Sequence, residues 1–389
     1  MVSRLYLSPA DWPARSGNVP SLDGVRGLSI LLVLVGHMLL PQSLVGISAI
    51  GLKVFFVISG FLITRLLLAE NKQSGSVSLR NFYIRRILRL YPVIVVYVCI
   101  TSAVLLSRGQ QVSLLEVASV FFYFVNYLVV YNDHLGLNYT LPVGMLWSLS
   151  VEEHFYLFAP LALVMIRGEA KKMLMIALTI CVIALSLRLL YAYNNPAIVH
   201  TLELYWRSET RFDSIAYGVI LACLPEFDKG SRFIRAITKR PVFIGAVAVM
   251  LATFAIRDSY FQNTWRFTFQ GLALIPILAS VIFAKPIPLF NRVLNLRGLI
   301  WIGALSYSLY VWHGAVVFFF GEWIEMLPHP LVSWAEFALS FVLAVFSYYL
   351  LERPVMALRK RFGHRVSPAD VASPNIAPTL KVNPAATPS

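Results

Sequence analysis

Long, uninterrupted apolar runs recur along this sequence, and they limit its fold more than any other feature. They lie near residues 21–40, 49–68, 92–107, 114–131, from 147 onward (WSLSVEEHFYLFAP), 173–193, 212–224, 242–256, 267–284, 299–320 and 331–351. Hydrocarbon offers no water to backbone N–H and C=O groups, so a segment that crosses a bilayer must satisfy its own. Runs of ~20 apolar residues do so as helices, whereas a membrane barrel would show short alternating segments. The composition agrees, with 58% hydrophobic and 13% charged residues and a mean hydropathy of +0.71. The chain is therefore expected to be all-α, a polytopic membrane helical bundle.

A net charge of +14 could suggest a nucleic-acid partner, but the basic residues concentrate in short loops beside apolar runs. There they set topology, and no nucleic acid is expected as a partner. Placing the basic stretches 69–91, 226–240, 285–298 and 352–365 on the cytoplasmic side leaves one net crossing between Pro92 and Trp147. Of the two apolar stretches there, 92–107 is expected to cross and 114–131 to lie at the outer interface or re-enter. The result is about ten crossings with both termini cytoplasmic. Residues 1–20 show no cleavable signal pattern, so they are expected to form a cytoplasmic N-terminal segment ahead of a retained first span. The transmembrane domain is expected over 21–354. Residues 355–389 read as a basic and then disordered cytoplasmic tail, rich in Pro, Ala and Ser beyond Gly363. Cys99, Cys181 and Cys223 sit in apolar stretches without metal-ligand or disulfide spacing, and no metal is expected.

Ionisable residues inside such spans are rare and usually functional. The first span, SLDGVRGLSILLVLVGHMLL, carries Arg26 and His37. Eleven helical steps bring the chain to within ~20° of three whole turns, so both side chains share a face, ~16 Å apart along the axis. The alternative is an arginine snorkelling to one interface and a histidine capped by a carbonyl. In the expected topology His37 lies towards the outer face, as do Lys53, Glu152, Glu153, Arg211, Asp213 and His313. A histidine held by a carboxylate suits general-base work on a hydroxyl. The competing reading is a structural network in which Arg211 and Lys53 balance the acids. Glu152 and Glu153 project about 100° apart, so one of them at most faces the imidazole. On the cytoplasmic side RRILR places Arg85, Arg86 and Arg89 within little more than one turn, with Arg85 and Arg89 stacked at i and i+4. This cluster could grip phosphates bidentately, or simply bind anionic lipid headgroups. Ser59 and Gly60 are expected to permit close helix packing, and the aromatic runs to face lipid or pack.

Taken together, these motifs resemble the membrane-bound acyltransferase-3 family, which acylates surface and secreted carbohydrates. The resemblance runs from about Leu22 to Pro354. It is carried by Arg26 and His37 at R-x10-H spacing, KVFFVISGFLIT (53–64), FYIRRILRLYP (82–92), WSLSVEEHFYL (147–157), RFDSIAYGVILA (211–222), SYSLYVWH (306–313) and YLLERP (349–354). It implies O-acyl transfer, usually of acetyl, from cytoplasmic acyl-CoA to a sugar hydroxyl at the outer face of a bacterial inner membrane. It further implies that His37 and Arg26 are essential and that Arg85, Arg86 and Arg89 meet the CoA. The WSLxxE pattern selects Glu152 as its acidic position; Glu153, Arg211, Asp213 and His313 are assigned to the acceptor. Some members carry a fused extracytoplasmic hydrolase-like domain, whereas only a short tail follows here. Any contribution of such a domain is expected to be absent or to come from another protein, so the partners are a carbohydrate acceptor, membrane lipids and polysaccharide-assembly proteins. The expected chemistry is direct attack assisted by His37, itself oriented by Glu152, with an acyl-histidine intermediate as the alternative. A proton-coupled transporter or flippase of sugars or lipid-linked glycans would also use charges within spans. Against it, the sequence shows no repeated halves and no matching pair of broken helices. A membrane sensor or scaffold would give Arg26 and His37 no reason to share a face.

Overall fold

The computed structural model describes residues 20–41, 46–283, 288–320, 329–359 and 362. Nearly all of them are helical. In chain order the first helices are α1 (Pro20–Leu34), α2 (Gly46–Ser74), α3 (Leu79–Ser107), α4 (Leu114–Phe121), α5 (Val125–Leu135) and α6 (Trp147–Met165). There follow α7 (Ala170–Asn194), α8 (Glu203–Trp206), α9 (Ser208–Cys223), α10 (Asp228–Ile237), α11 (Arg240–Ala255) and α12 (Ser259–Asn263). The last are α13 (Trp265–Phe283), α14 (Pro288–Leu294), α15 (Arg297–Phe320), α16 (His329–Ser347) and α17 (Arg353–Arg359). The expected N-terminal segment up to Val19 and the tail from Gly363 lie outside the described residues.

Among the described residues, seven helical stretches are long and apolar enough to cross a membrane: 21–39, 46–74, 79–107, 170–194, 265–283, 297–320 and 331–358. The chain is an integral membrane protein by this measure. The other three expected spans are the helices α6, α9 and α11, of 19, 16 and 16 residues. The stretch 114–131 is divided between α4 and α5, of 8 and 11 residues, and neither is long enough to cross alone. Between them Tyr123 takes a positive φ of 57°, which breaks the helix. The basic stretch before Pro92 was expected to be a connection, but it forms the opening turns of α3. Ser78 caps that helix by accepting from the Asn81 N–H, and Pro92 lies in its interior. The lost hydrogen bond is tolerable where neighbouring helices pack around it.

Contacts give the helix directions. Helices α1 and α15 are in close contact, since a side chain at Gly303 would fall on the Asp23 carbonyl and one at Gly27 on the Leu299 carbonyl, and they run parallel, since His37 further along α1 meets His313 further along α15. Helix α2 returns antiparallel to α1, with Gly36 against Ser48 near one end and Gly51 against Ser29 further on. Helices α6 and α9 both run parallel to α2. Ser59 meets Glu152 and Gly168 meets Asn71 on one side; Gly60 meets Ile215 and Arg65 pairs with Glu226 on the other. Gly60 thus has the packing role expected of it, while Ser59 has a polar one. Apolar side chains left on the outside, among them Val95, Ile100 and Leu106 of α3 and Val182 of α7, form surface suited to lipid tails.

Candidate active site

His37 sits in a π-helical turn, Val35–Leu39, that continues α1; the turn is closed by the bond from the Leu40 N–H to the Val35 carbonyl, 3.0 Å. Such single π turns cluster at functional sites because they re-aim one side chain. Here the turn brings His37 to α15. Its Nδ1 lies 3.2 Å from Nε2 of His313, and the two rings stack with centroids 5.4 Å apart. Nδ1 of His313 bonds the backbone carbonyl of Tyr310. A carbonyl only accepts, so His313 carries its proton on Nδ1 and offers the lone pair of Nε2. His37 must then donate from Nδ1, which leaves its Nε2 unprotonated. A neutral imidazole in this tautomer can take a proton at Nε2. The Tyr310 hydroxyl donates to the Met145 carbonyl and also meets Ser148, joining this corner to the start of α6.

Arg26 contacts the same helix two turns away: its guanidinium donates to Ser306 Oγ at 2.9 Å, with Asp23 at 3.5 Å. The two side chains thus share the α15-facing side of the first helix. Glu152 was expected at the depth of His37, but the structure does not bring the two together. Glu152 accepts from Ser59 at 2.9 Å and from Tyr156 at 3.2 Å. Ser59 is eleven residues along α2 from Ser48, which packs against Gly36 beside His37. That separates Glu152 from the histidine level by ~16 Å. The sequence reading placed the acidic pair too near the outer end because α6 begins with a one-turn lead-in, Gly144–Leu146, and carries Glu152 further along the bundle.

Glu152 belongs to a second polar level. The Arg86 guanidinium lies over the Tyr156 ring, 4.2 Å from its centroid, within electrostatic reach of Glu152 and Glu153. The charges of Glu152 and Arg89 act on Arg26, and those of Arg89 and Arg26 on Glu352. Glu352, at the end of the π turn Tyr348–Glu352, accepts from Ser308. The three arginines of RRILR therefore separate. Arg85 is held by Glu70 at 3.0 Å and by the Phe362 carbonyl at 2.7 Å. Arg86 and Arg89 turn towards the acids of α6, and Arg89 has no hydrogen-bond or ion-pair partner among the described residues.

A third group lies between α2, α7, α9 and α13. Arg188 and Asp213 form a fully buried ion pair at 2.8 Å. Arg188 also donates to the Thr210 carbonyl at 2.6 Å and to Thr268 at 2.9 Å. Lys53 donates to the Phe267 carbonyl. Arg211 stacks on Phe267, Tyr205 and Phe56, with centroid distances of 4.4, 4.8 and 5.6 Å.

A cavity of about 1210 Å³ opens beside His37 and is walled by residues that include Trp147, Tyr205, Trp206, Arg257, Arg266 and Tyr310. Among the described residues no group of three or more metal-ligating side chains is placed to hold a metal ion. The sequence motifs single out His37, Arg26 and the arginine cluster, but not Ser306 and Glu352 as their neighbours, nor Arg188 and Arg266. Ser306, Glu352 and Arg188 each carried a signal, and Arg266 none. Ser306 and His313 are seven residues apart, two helical turns; Glu352 lies in a quoted motif; Arg188 is a lone charge in an apolar run.

Among proteins of known family, residues 19–353 match the model for an acyltransferase domain. The chain is 32% identical over 356 residues to a Staphylococcus aureus (strain COL) protein named "Putative O-acetyltransferase", covering 86% of this chain and 57% of that one. It is 28% identical over 357 residues to the peptidoglycan O-acetyltransferase OatA of Listeria monocytogenes, covering 87% and 56%. An O-acetyltransferase OatA of Staphylococcus aureus (strain NCTC 8325) is likewise 28% identical, over 349 residues, covering 87% and 57%. The chain thus spans a little over half the length of these relatives. No solved structure matches it. A family match over most of the helical bundle, together with the R-x10-H helix seated on α15, establishes that this chain belongs to the acyltransferase-3 family.

Proposed function

We propose that this protein is an O-acyltransferase that moves an acetyl group from acyl-CoA, entering from the cytoplasm, to a hydroxyl of a carbohydrate at the outer face of a bacterial inner membrane. The observation that carries this reading is His37, on the wall of the large cavity and bonded to buried His313. The bond chain from His37 Nδ1 to His313 to the Tyr310 carbonyl leaves a basic nitrogen on His37, and aromatic walls such as Trp147 and Trp206 suit the faces of sugar rings. His37 Nε2 takes the proton of the acceptor hydroxyl. The oxygen attacks the thioester carbonyl, the carbon–sulfur bond breaks, and the proton held on His37 Nε2 passes to the sulfur, so that CoA leaves as its thiol and His37 returns to its neutral form. His313, rather than Glu152, holds the base. Arg86 and Arg89 are the members of RRILR placed to meet the donor's phosphates, since Arg85 is occupied by Glu70. The names of the relatives make peptidoglycan the first acceptor to test.

Purified protein in lipid nanodiscs, given radiolabelled acetyl-CoA with peptidoglycan fragments or other glycans, should form an acetylated glycan. The His37→Gln variant should lose 10²–10⁴-fold of that rate, the usual contribution of a general base. Glycan movement across vesicle membranes without acetylation would replace this reading with the transporter or flippase.

A further inference from the structure

We propose that the cavity beside His37 holds an anion subsite centred on Arg266, in the positive field of buried Arg211, so that the acceptor is a carbohydrate bearing a carboxylate or phosphate. The inference rests on the reading that this cavity receives the acceptor.

The charge balance is the first observation. Lys53, Arg188, Arg211 and Arg266 lie within electrostatic reach of one another, and Asp213 is the carboxylate among them. Arg188 takes that carboxylate in its ion pair. Arg211 is 1% exposed, and its Nε and Nη1 have no hydrogen-bond partner. The ring faces of Phe267, Tyr205 and Phe56 attract its positive charge. Ring faces are weaker partners than an anion, so the positive charge of Arg211 is only partly offset. An anion held nearby by a ligand lowers that cost.

Position is the second observation. Arg266 lines the cavity together with His37, and so does Tyr205, the ring against Arg211. Arg257 lines it as well, at an exposed position. Neither Arg257 nor Arg266 has an acidic partner among the described residues. Asp133 is the carboxylate on the described part of the wall. Arginine presents a planar fork that matches carboxylate and phosphate oxygens. An acceptor anchored by its anion at Arg266 would be held in the same chamber as the base, which is how binding energy orients a hydroxyl for attack.

The test uses the full chain in nanodiscs and reads binding, so it does not depend on turnover. Cellobiouronic acid, cellobiose 6-phosphate and neutral cellobiose are titrated calorimetrically. At least one anionic sugar should bind tenfold or more tightly than cellobiose, and the stronger of the two identifies carboxylate or phosphate as the preferred group. Arg266→Gln should remove most of that preference, about tenfold to a hundredfold for a lost charge-assisted contact. Equal binding of all three sugars, or an undiminished preference in the variant, would overturn the subsite. So would a change in the KM for acetyl-CoA without one for the acceptor, because it would assign the anion to the donor. Anion preference in a protein that acetylates no glycan would refute the proposed function and leave the subsite standing.

Discussion

Replacing His313 tests the base assignment more sharply than replacing His37, because His313 is a positioning residue. It is fully buried and accepts the proton-bearing Nδ1 of His37 at 3.2 Å. Leucine at 313 removes the acceptor and frees His37 to change tautomer or rotate. A net hydrogen bond is worth about 0.5–1.5 kcal/mol, which converts to roughly 2- to 13-fold in rate. Loss of the correct tautomer adds to this, so His313→Leu should lower kcat by about 10- to 100-fold with the KM for acetyl-CoA unchanged. His313→Gln places a carbonyl oxygen where it can accept the same proton and should restore most of the rate. Added to His37→Gln, His313→Leu should cost almost nothing more, since residues that act as a unit are not additive. The assay is initial-rate acetylation in nanodiscs, with thermal stability of each variant measured alongside. Full activity of His313→Leu, or independent losses in the double variant, would refute the imidazole chain.

Three further outcomes follow from the polar contacts and the helix crossings. Glu152→Gln should impair turnover more than Glu153→Gln, because Glu152 is bonded to both Ser59 and Tyr156; equal losses would show that the wrong carboxylate was chosen. Arg89→Gln should raise the KM for acetyl-CoA about tenfold or more. Arg85→Gln should instead lower thermal stability by releasing Glu70, so a donor effect at 85 and none at 89 would reverse the assignment. Gly303→Leu, which strikes the Asp23 carbonyl, should destabilise the bundle by about 1–3 kcal/mol or more, whereas Gly298→Ala, with open space around it, should leave the melting temperature near wild type.

Helix content and the shared face of Arg26 and His37 were legible because they depend on local rules: apolar run length and the angle per residue. Partners across helices were not. Whether a histidine meets His313 or Glu152 depends on where α6 and α15 sit relative to α1, and no local spacing encodes that. The π turn at Val35–Leu39 is a case in point. It departs from the regular helical angle used to place His37, yet the side chain still meets His313 on α15. The RRILR cluster shows the same limit from the other side. An i, i+4 spacing puts Arg85 and Arg89 on one helix face, but Glu70, at the far end of α2, captures Arg85 and leaves Arg86 and Arg89 to act together.

The two polar levels differ in charge balance, and this bears on how a donor could bind. At the level of Arg26, the cations Arg26, Arg86 and Arg89 face Glu152, Glu153 and Glu352. Such a network is close to neutral by itself and can rest inside a bundle without a ligand. A phosphate entering it must compete with these carboxylates for the charge of Arg86 and Arg89, so donor affinity is held down by the acids. Glu153 is the natural one to yield, because its Oε1 is buried without a hydrogen-bond partner, whereas Glu152 and Glu352 are anchored by serines. Glu153→Gln should therefore free Arg86 and Arg89 for phosphate and lower the KM for acetyl-CoA severalfold while kcat changes little. If the KM instead rises, the carboxylate is shaping the arginines for the donor rather than competing with it. The phosphate grip would then depend on Glu153 as a positioning group.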